Sequence, residues 1–160
     1  MVDNNFKCCG IIGPSGSGKT TLIEQLIPLL MPLKIAVLKH SHHHWIGPES
    51  SHKDSKRYMQ AGALSSLCVP ANMPFEEALR QLLSVGDVSA VIVESFRNAP
   101  IPKLLYAPNG LDKEWYLPNG IVAQVGDSVE GVAALRNDPI AIAEWMVKLW
   151  ERTVQTGNPG

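Results

Sequence analysis

The sequence predicts a single α/β domain in which a mostly parallel sheet lies between two layers of helices. Short apolar runs alternate with longer segments whose apolar residues have helical spacing, as in sheets whose strands are joined by helices. A glycine-rich turn separates the first apolar run from the first helical pattern. The 160 residues are enough for one domain with its own core. We expect only a tail from about residue 153 to be loose.

Apolar periodicity and turn signals together place six strands and four helices. The predicted strands are residues 7–12, 34–39, 64–69, 89–93, 103–106 and 121–125. The predicted helices are residues 20–31, 54–61, 74–83 and 139–151. Two Pro-Asn-Gly turns, at residues 108–110 and 118–120, lie between the last two strands. They predict an added hairpin from about residue 104 to residue 125.

The composition favours a cytoplasmic protein that has no membrane segment. The formal net charge is −1, so no overall field attracts nucleic acid or an anionic membrane. No apolar run reaches the ~18 residues that a membrane span requires. The three cysteines are Cys8, Cys9 and Cys68. Because the adjacent pair points to opposite faces of a strand and the count is odd, we expect reduced thiols.

Residues 13–20 read Gly-Pro-Ser-Gly-Ser-Gly-Lys-Thr, the full G-x-x-x-x-G-K-[ST] pattern of a phosphate-binding loop. A strand enters this segment and an amphipathic helix leaves it, so its backbone N–H groups and the helix N-terminus can face one anion. At ~4 Å and an effective dielectric of ~20, the Lys19 ammonium would attract a phosphate charge by about 4 kcal/mol before desolvation. The pattern predicts a three-layer P-loop NTPase fold that binds GTP or ATP through Gly13, Ser15, Gly16, Ser17, Gly18, Lys19 and Thr20.

Three oxygen-bearing side chains are candidate ligands for Mg²⁺, which prefers oxygen. Thr20 is the last residue of the loop pattern, and its hydroxyl is placed to bind Mg²⁺. Glu94 follows the most hydrophobic strand and is expected at its carboxyl end, beside the loop; the alternative is that it ends the strand in solvent. Asp54 follows the second strand and is either a further metal contact or a helix cap.

Four of the five histidines lie in residues 39–45, Lys-His-Ser-His-His-His-Trp. Three interpretations remain open. Imidazoles bind zinc, nickel and copper. Lys39 and partly protonated imidazoles can instead hold a phosphate-bearing ligand. The segment can also be a polar surface loop.

The predicted hairpin carries Trp115 and Tyr116 between its two turns. Large aromatic side chains on an edge ribbon suit a surface that a second subunit covers. We therefore expect a homodimer, and the alternative is a small hairpin that packs on its own chain.

Several segments resemble the molybdopterin-guanine dinucleotide biosynthesis protein B family. They are residues 38–43 (Leu-Lys-His-Ser-His-His), 53–55 (Lys-Asp-Ser), 60–63 (Gln-Ala-Gly-Ala) and 93–97 (Val-Glu-Ser-Phe-Arg), which occur in the family's order. The similarity runs from about residue 9 to residue 125. It differs from the family pattern at His52 and Ser95, where family members usually have glycine.

The resemblance implies a GTP-binding dimer that assists the guanylyltransferase which joins GMP to the molybdenum cofactor. It also implies weak, Mg²⁺-dependent GTP hydrolysis. Residues 16–21, ending at Thr21, would bind phosphate, and His40, Lys53 and Arg97 would line the adjoining pocket. Thr20 and Glu94 would hold Mg²⁺, with Asp54 near the metal and the γ-phosphate. The candidate catalytic residues are Lys19, Asp54 and Glu94.

Two other functions use the same loop. A small-molecule kinase would bring several arginines onto a lid, but the arginines here are scattered along the chain. A metallochaperone would carry nickel or zinc on His42, His43 and His44. The preference for GTP over ATP follows from the resemblance alone, since no Asn/Thr-Lys-x-Asp guanine-reading motif occurs. Asp127, after the sixth strand, is a candidate contact for the base.

Overall fold

The computed structural model describes residues 6–41, 52–126 and 129–156. Within these ranges, seven strands form one sheet in which all paired neighbours are parallel. The strands are β1 (Cys8–Ile12), β2 (Ile35–His40), β3 (Ser65–Val69), β4 (Ala90–Glu94), β5 (Lys103–Tyr106), β6 (Ile121–Val125) and β7 (Ala133–Ala134). Their order across the sheet is β3-β2-β4-β1-β5-β6-β7. This confirms the predicted α/β class with its parallel sheet.

Among the described residues, four helices cover the two faces of the sheet. They are α1 (Lys19–Leu29), α2 (His52–Ala61), α3 (Phe75–Leu83) and α4 (Pro139–Thr156). Buried side chains of α1, α2 and α4 share one core cluster, whereas those of α3 belong to a second cluster. Cys9 lies in the first cluster and Cys8 in the second, as expected for neighbours on a strand. The predicted three layers are therefore present.

The central strands β1 and β4 are buried along their whole length. Each lies between two other strands and under helices on both faces, which explains why their sequences are almost uninterrupted apolar runs. Every strand predicted from those runs is confirmed to within one residue at each end. The two-residue strand β7 was not predicted. The last helix continues to Thr156. The prediction of a loose tail from residue 153 is therefore wrong for residues 153–156.

The predicted hairpin is wrong, because β5 and β6 pair in parallel, with Tyr106 opposite Val125. The chain must return across the sheet through residues 107–120 before β6 begins, as parallel pairing requires. Both expected turns exist, with Gly110 and Gly120 at positive φ, but they shape this crossover and do not join the two strands directly.

Trp115 in this crossover packs against buried Ile12, Leu105 and Ala107, while Tyr116 is 61% exposed. Trp115 is thus partly buried against its own chain, whereas Tyr116 is free to meet a second subunit, and the expected contact of both with that subunit stays a prediction. The homodimer itself stays a prediction. Across the described residues, no helix has the length and apolar character needed to cross a bilayer.

Gly13 marks a close approach between two segments of backbone. A Cβ at this position would lie 2.1 Å from the carbonyl oxygen of Tyr106, the last residue of β5. That oxygen belongs to the backbone of a buried strand and has little freedom to move. Only glycine therefore fits where β1 runs into the following loop.

We predict that Gly13→Ala lowers the free energy of unfolding by about 3 kcal/mol, because the strand end must shift to admit the methyl group. Gly86→Ala is the control, since Gly86 also has positive φ (75°) but nothing lies within 4 Å of its added Cβ. Gly86→Ala should lower the free energy of unfolding by about 1 kcal/mol, because only the left-handed backbone conformation is unfavourable there. Urea unfolding measures both, and equal losses would contradict the close approach.

Candidate functional site

Residues 13–18 connect β1 to α1 at the carboxyl end of the central strands. Gly16 (φ 79°) and Gly18 (φ 98°) both adopt left-handed backbone, which lets the segment curl. The Ser17 N–H donates to the Pro14 carbonyl, and the helix begins at once with Lys19. Such a curl places free N–H groups at a helix N-terminus, an arrangement that binds anions.

Lys19 lies against this curl and is 8% exposed. Its Nζ donates hydrogen bonds to the carbonyl oxygens of Gly13 at 2.8 Å and Pro14 at 2.9 Å. Burial lowers the pKa of Lys19; Glu94 acts in the opposite direction, while the charges of Arg97 and Lys39 lower it further. Lys19, Lys39 and Arg97 thus bring three positive charges close to the Glu94 carboxylate, and Lys39 also pairs with Asp54. The net positive charge of this set favours an anionic ligand.

Glu94 ends β4 at the position that the sequence predicted, and it is 3% exposed. Its Oε1 accepts a hydrogen bond from the Thr20 hydroxyl at 3.0 Å, and its Oε2 accepts one from the Tyr58 hydroxyl at 2.7 Å. Lys39 Nζ lies 3.8 Å from Oε2. Glu94 is therefore a buried, fully partnered carboxylate, which rules out the alternative that it ends the strand in solvent.

Asp54 lies in the first turn of α2 and reaches the same site through a shared lysine. Lys39 Nζ forms an ion pair with Asp54 Oδ2 and also approaches Glu94. Arg57 lies 4.0 Å from Asp54 Oδ1 and pairs with Glu24 of α1. Asp54 is thus linked to Glu94 through Lys39, whereas the hydroxyl of Thr20 donates to Glu94.

The donor set fits Mg²⁺. Thr20, Glu94 and Asp54 present hydroxyl and carboxylate oxygens, the hard ligands that this ion prefers. Within residues 6–41, 52–126 and 129–156, no three His, Cys, Asp or Glu side chains form a cluster that could hold a metal by themselves.

The three predicted lining residues have different positions. Arg97 stacks over the Trp115 ring at 4.3 Å from its centroid, and its charge reaches Lys19. His40 stacks on Phe96 at 3.9 Å between ring centroids, with Nε2 3.0 Å from the Ala71 carbonyl oxygen. Lys53 is exposed and makes no hydrogen bond or ion pair with the described residues.

The other predicted loop residues differ in exposure, and Gly13 is buried. Ser15, Gly16, Gly18 and Thr21 are exposed, whereas the Ser17 hydroxyl is buried and has no hydrogen-bond partner in the described chain. His42, His43, His44 and Asp127 lie outside the described residues.

Two tyrosines of the site were missed from the sequence. The Tyr58 hydroxyl donates a hydrogen bond to Glu94. The sequence feature that could have identified Tyr58 is its position four residues after Asp54, which puts both residues on one face of α2. Tyr106 lies beneath the loop, 3.7 Å from where a Gly18 Cβ would be, and its hydroxyl donates to Asn137 at 2.8 Å. No local pattern connects Tyr106 with Asn137.

Ser95 turns the chain sharply after Glu94. Its φ is 68°, in the left-handed region, and its N–H donates to the Ile11 carbonyl at 3.1 Å. Such a backbone costs a residue with a Cβ about 1 kcal/mol relative to its preferred regions. Because this position requires a positive φ, glycine would suit it. The Ser95 side chain is buried next to the site.

The parallel sheet and the curled segment between β1 and α1 together define a P-loop protein with an NTPase-like α/β fold. We therefore call residues 13–20 the P-loop. The sequence profile of the family described as MobB, molybdopterin guanine dinucleotide synthesis protein B, matches residues 8–127. The chain belongs to this family, which confirms the resemblance found in its motifs.

Two relatives carry the name molybdopterin-guanine dinucleotide biosynthesis adapter protein. The one from Haemophilus influenzae (strain ATCC 51907 / DSM 11121 / KW20 / Rd) is 39% identical over 119 residues, covering 66% of this chain and 65% of the relative. The one from Escherichia coli (strain K12) is 26% identical over 164 residues, covering 84% of this chain and 90% of the relative. The match thus spans slightly under two thirds of the Haemophilus protein.

Solved structures share the fold. Bacillus subtilis MobB has a TM-score of 0.60 at 20% identity, covering 89% of this chain and 97% of that one. A molybdopterin-guanine biosynthesis protein B (mobB) has a TM-score of 0.53 at 26% identity, covering 90% and 99%. HypB from Helicobacter pylori, solved in complex with nickel, has a TM-score of 0.64 at 14% identity, covering 96% and 90%. The Bacillus and Helicobacter likenesses concern the fold alone.

We predict that Tyr58→Phe lowers the free energy of unfolding by about 2 kcal/mol, because Glu94 loses a donor that water cannot replace at this depth. Burial and the nearby Glu94 carboxylate raise the pKa of Tyr58, so its hydroxyl stays protonated as a donor. Tyr116→Phe, at an exposed position with no recorded bond, should change stability by under about 0.5 kcal/mol. Chemical denaturation that gives equal values for both variants would contradict the role of Tyr58.

Proposed function

We propose that this protein binds GTP with Mg²⁺ at the P-loop and acts as an adapter protein in molybdopterin guanine dinucleotide biosynthesis. One observation carries the nucleotide proposal: the 3.0 Å hydrogen bond that joins Thr20 at the loop to Glu94 at the end of β4. It brings two oxygen ligands together beside three cations. The adapter role is supported by membership of the MobB family and by the names of its curated relatives.

Each residue at the site has a role that its chemistry supports. The backbone of the P-loop surrounds the phosphates, and Lys19 exchanges its bonds to loop carbonyls for bonds to phosphate oxygens. Thr20 and Glu94 hold Mg²⁺, with Asp54 close by, and the ion supplies charge neutralisation on the phosphates. Arg97 adds a further positive charge, held in place by the Trp115 ring.

The same contacts favour binding over rapid hydrolysis. Both oxygens of Glu94 accept hydrogen bonds, and both oxygens of Asp54 face cations. Neither carboxylate is available as a strong base for an attacking water. Any GTP hydrolysis is then slow and depends on positioning and charge neutralisation.

The partners proposed for the adapter are the molybdopterin guanylyltransferase and the molybdenum cofactor, together with a second copy of this chain as a homodimer. The name of the family concerns a guanine dinucleotide, which supports GTP over ATP. The family favours the adapter over a small-molecule kinase. The metallochaperone alternative rests on His42, His43 and His44, which lie outside the described residues, and the likeness to HypB concerns the fold alone.

We predict that Lys19→Ala weakens binding of Mg²⁺·GTP at least ~100-fold, because a buried ammonium that meets phosphate at short range is lost. Calorimetric titration of GTP, GDP and ATP with Mg²⁺ measures this. Lys148→Ala is the control, since Lys148 is exposed on α4 and should leave the affinity unchanged.

A Lys19→Ala protein that binds GTP with parental affinity would overturn the nucleotide site. Tighter binding of ATP than of GTP would overturn the choice of guanine and leave the phosphate site intact. Turnover measured in the same samples tests the slow hydrolysis, and a rate typical of efficient NTPases would contradict it.

A further inference from the structure

A cavity of about 690 Å³ lies at the amino ends of β5 and β6, on the side of the sheet opposite to the P-loop. It is formed by the segment that leads into β5 and by the end of the crossover that leads into β6. Its lining residues include Asn98, Ile101, Lys103, Tyr116, Asn119 and Val122. We call it the Lys103 cavity. The nucleotide site uses none of these residues.

Lys103, the first residue of β5, is only 2% exposed although it is a lysine. Its Nζ donates to the Asn119 carbonyl at 2.8 Å. Among the described residues, it has no further hydrogen bond and no carboxylate within ion-pair distance. An ammonium group carries three N–H donors, so two remain available for a ligand. Burial lowers the pKa of Lys103, as expected for a cation that lacks a counter-ion.

Gly120 keeps space open beside this ammonium. A Cβ at Gly120 would lie 3.0 Å from Lys103 Nζ and 3.0 Å from the Ile101 carbonyl oxygen. Its φ of 89° also belongs to the region that favours glycine. The turn therefore approaches the amine closely without a side chain that would cover it.

The described lining residues supply hydrogen-bond donors and apolar walls but no negative charge. Among the residues that the structure describes, no Asp or Glu lines the cavity. The amides of Asn98 and Asn119 and the hydroxyl of Tyr116 can hydrogen-bond to an oxyanion. Ala99, Ile101 and the neighbouring prolines form apolar surface. A cation, a few polar groups and apolar walls, in a volume of this size, are the usual features of a small-molecule site.

We propose that the Lys103 cavity binds a small organic anion, a ring-bearing phosphate or carboxylate whose anionic group meets Lys103 Nζ. A lone ammonium suits one anionic group, and the apolar walls suit a ring. The proposal does not depend on GTP binding, because the cavity and the P-loop lie on opposite sides of the sheet.

The test uses the full chain saturated with Mg²⁺·GTP, or without nucleotide if GTP does not bind. Phenyl phosphate, benzoate, inorganic phosphate and neutral benzyl alcohol are titrated, and backbone amide shifts are followed by NMR. We expect phenyl phosphate and benzoate to bind at least tenfold more tightly than benzyl alcohol, with shifts at residues 98–103 and 119–122. Inorganic phosphate should bind more weakly than phenyl phosphate, because it lacks the ring. The stronger of the two ring-bearing probes identifies the anionic group.

Lys103→Met, which keeps the length of the side chain without its charge, should reduce the affinity for both ring-bearing anions at least tenfold and leave that for benzyl alcohol unchanged. Lys113→Met is the control, since Lys113 is exposed in the crossover and does not line the cavity.

Val122→Glu is an independent variant. Val122 lines the cavity and is 43% exposed, so the substitution adds a carboxylate to the lining with little risk to folding. It should abolish anion binding, whereas Val85→Glu, at an exposed site elsewhere, should not.

Three outcomes would overturn the proposal. The first is the absence of saturable shifts at residues 98–103 and 119–122 with any of the anions. The second is unchanged anion affinity in both Lys103→Met and Val122→Glu. The third is that the shifts map only to the P-loop, which would assign the anions to the nucleotide site.

Discussion

A single buried carboxylate, that of Glu94, is the constraint on which the site depends. It ends the central strand β4 and is nearly inaccessible to solvent, so its charge must be met by protein groups. Thr20 of α1, Tyr58 of α2 and Lys39 of β2 provide them. Three segments far apart in sequence are thereby held at one end of the sheet. Because Thr20 follows Lys19 directly, the same contacts also fix the end of the P-loop and the start of α1.

The topology explains why the candidate site lies at this end of the sheet. The chain passes from β1 to β2 on one side and later adds β5 on the other, so β1 and β4 lie at the middle of the sheet, where the order of connection reverses. Ligands of open α/β sheets bind outside the carboxyl ends of such strands. Here that crevice contains cations from three elements and two carboxylates that are already partnered. The partnered carboxylates and the nearby cations are consistent with the proposed binding of phosphate without fast hydrolysis.

Local sequence was enough to predict the strands, the P-loop and the place of Glu94, because each depends on short-range spacing. Glycine spacing sets the curl, and an acidic residue after a run of apolar residues must lie at a strand end. The hairpin was predicted wrongly because Pro-Asn-Gly turns report a local reversal of the chain, and the direction of pairing between β5 and β6 is set by the whole sheet. The contact of Arg97 with Trp115 and the bond of Tyr106 to Asn137 join residues without any periodic relation. Only the folded chain could show them.

The central claim is that Glu94, with Thr20, holds the metal that accompanies the nucleotide. The most direct test compares the affinity for GTP with and without Mg²⁺ in the parent protein and in Glu94→Gln. The variant removes the charge and keeps an oxygen that can accept a hydrogen bond from Thr20 or Tyr58. Equal unfolding curves of the two proteins at the assay temperature serve as the control for folding. We expect Mg²⁺ to raise the affinity of the parent at least ~10-fold and to have little effect on the variant, whose Mg²⁺-free binding through Lys19 persists. An undiminished Mg²⁺ effect in Glu94→Gln would contradict the account.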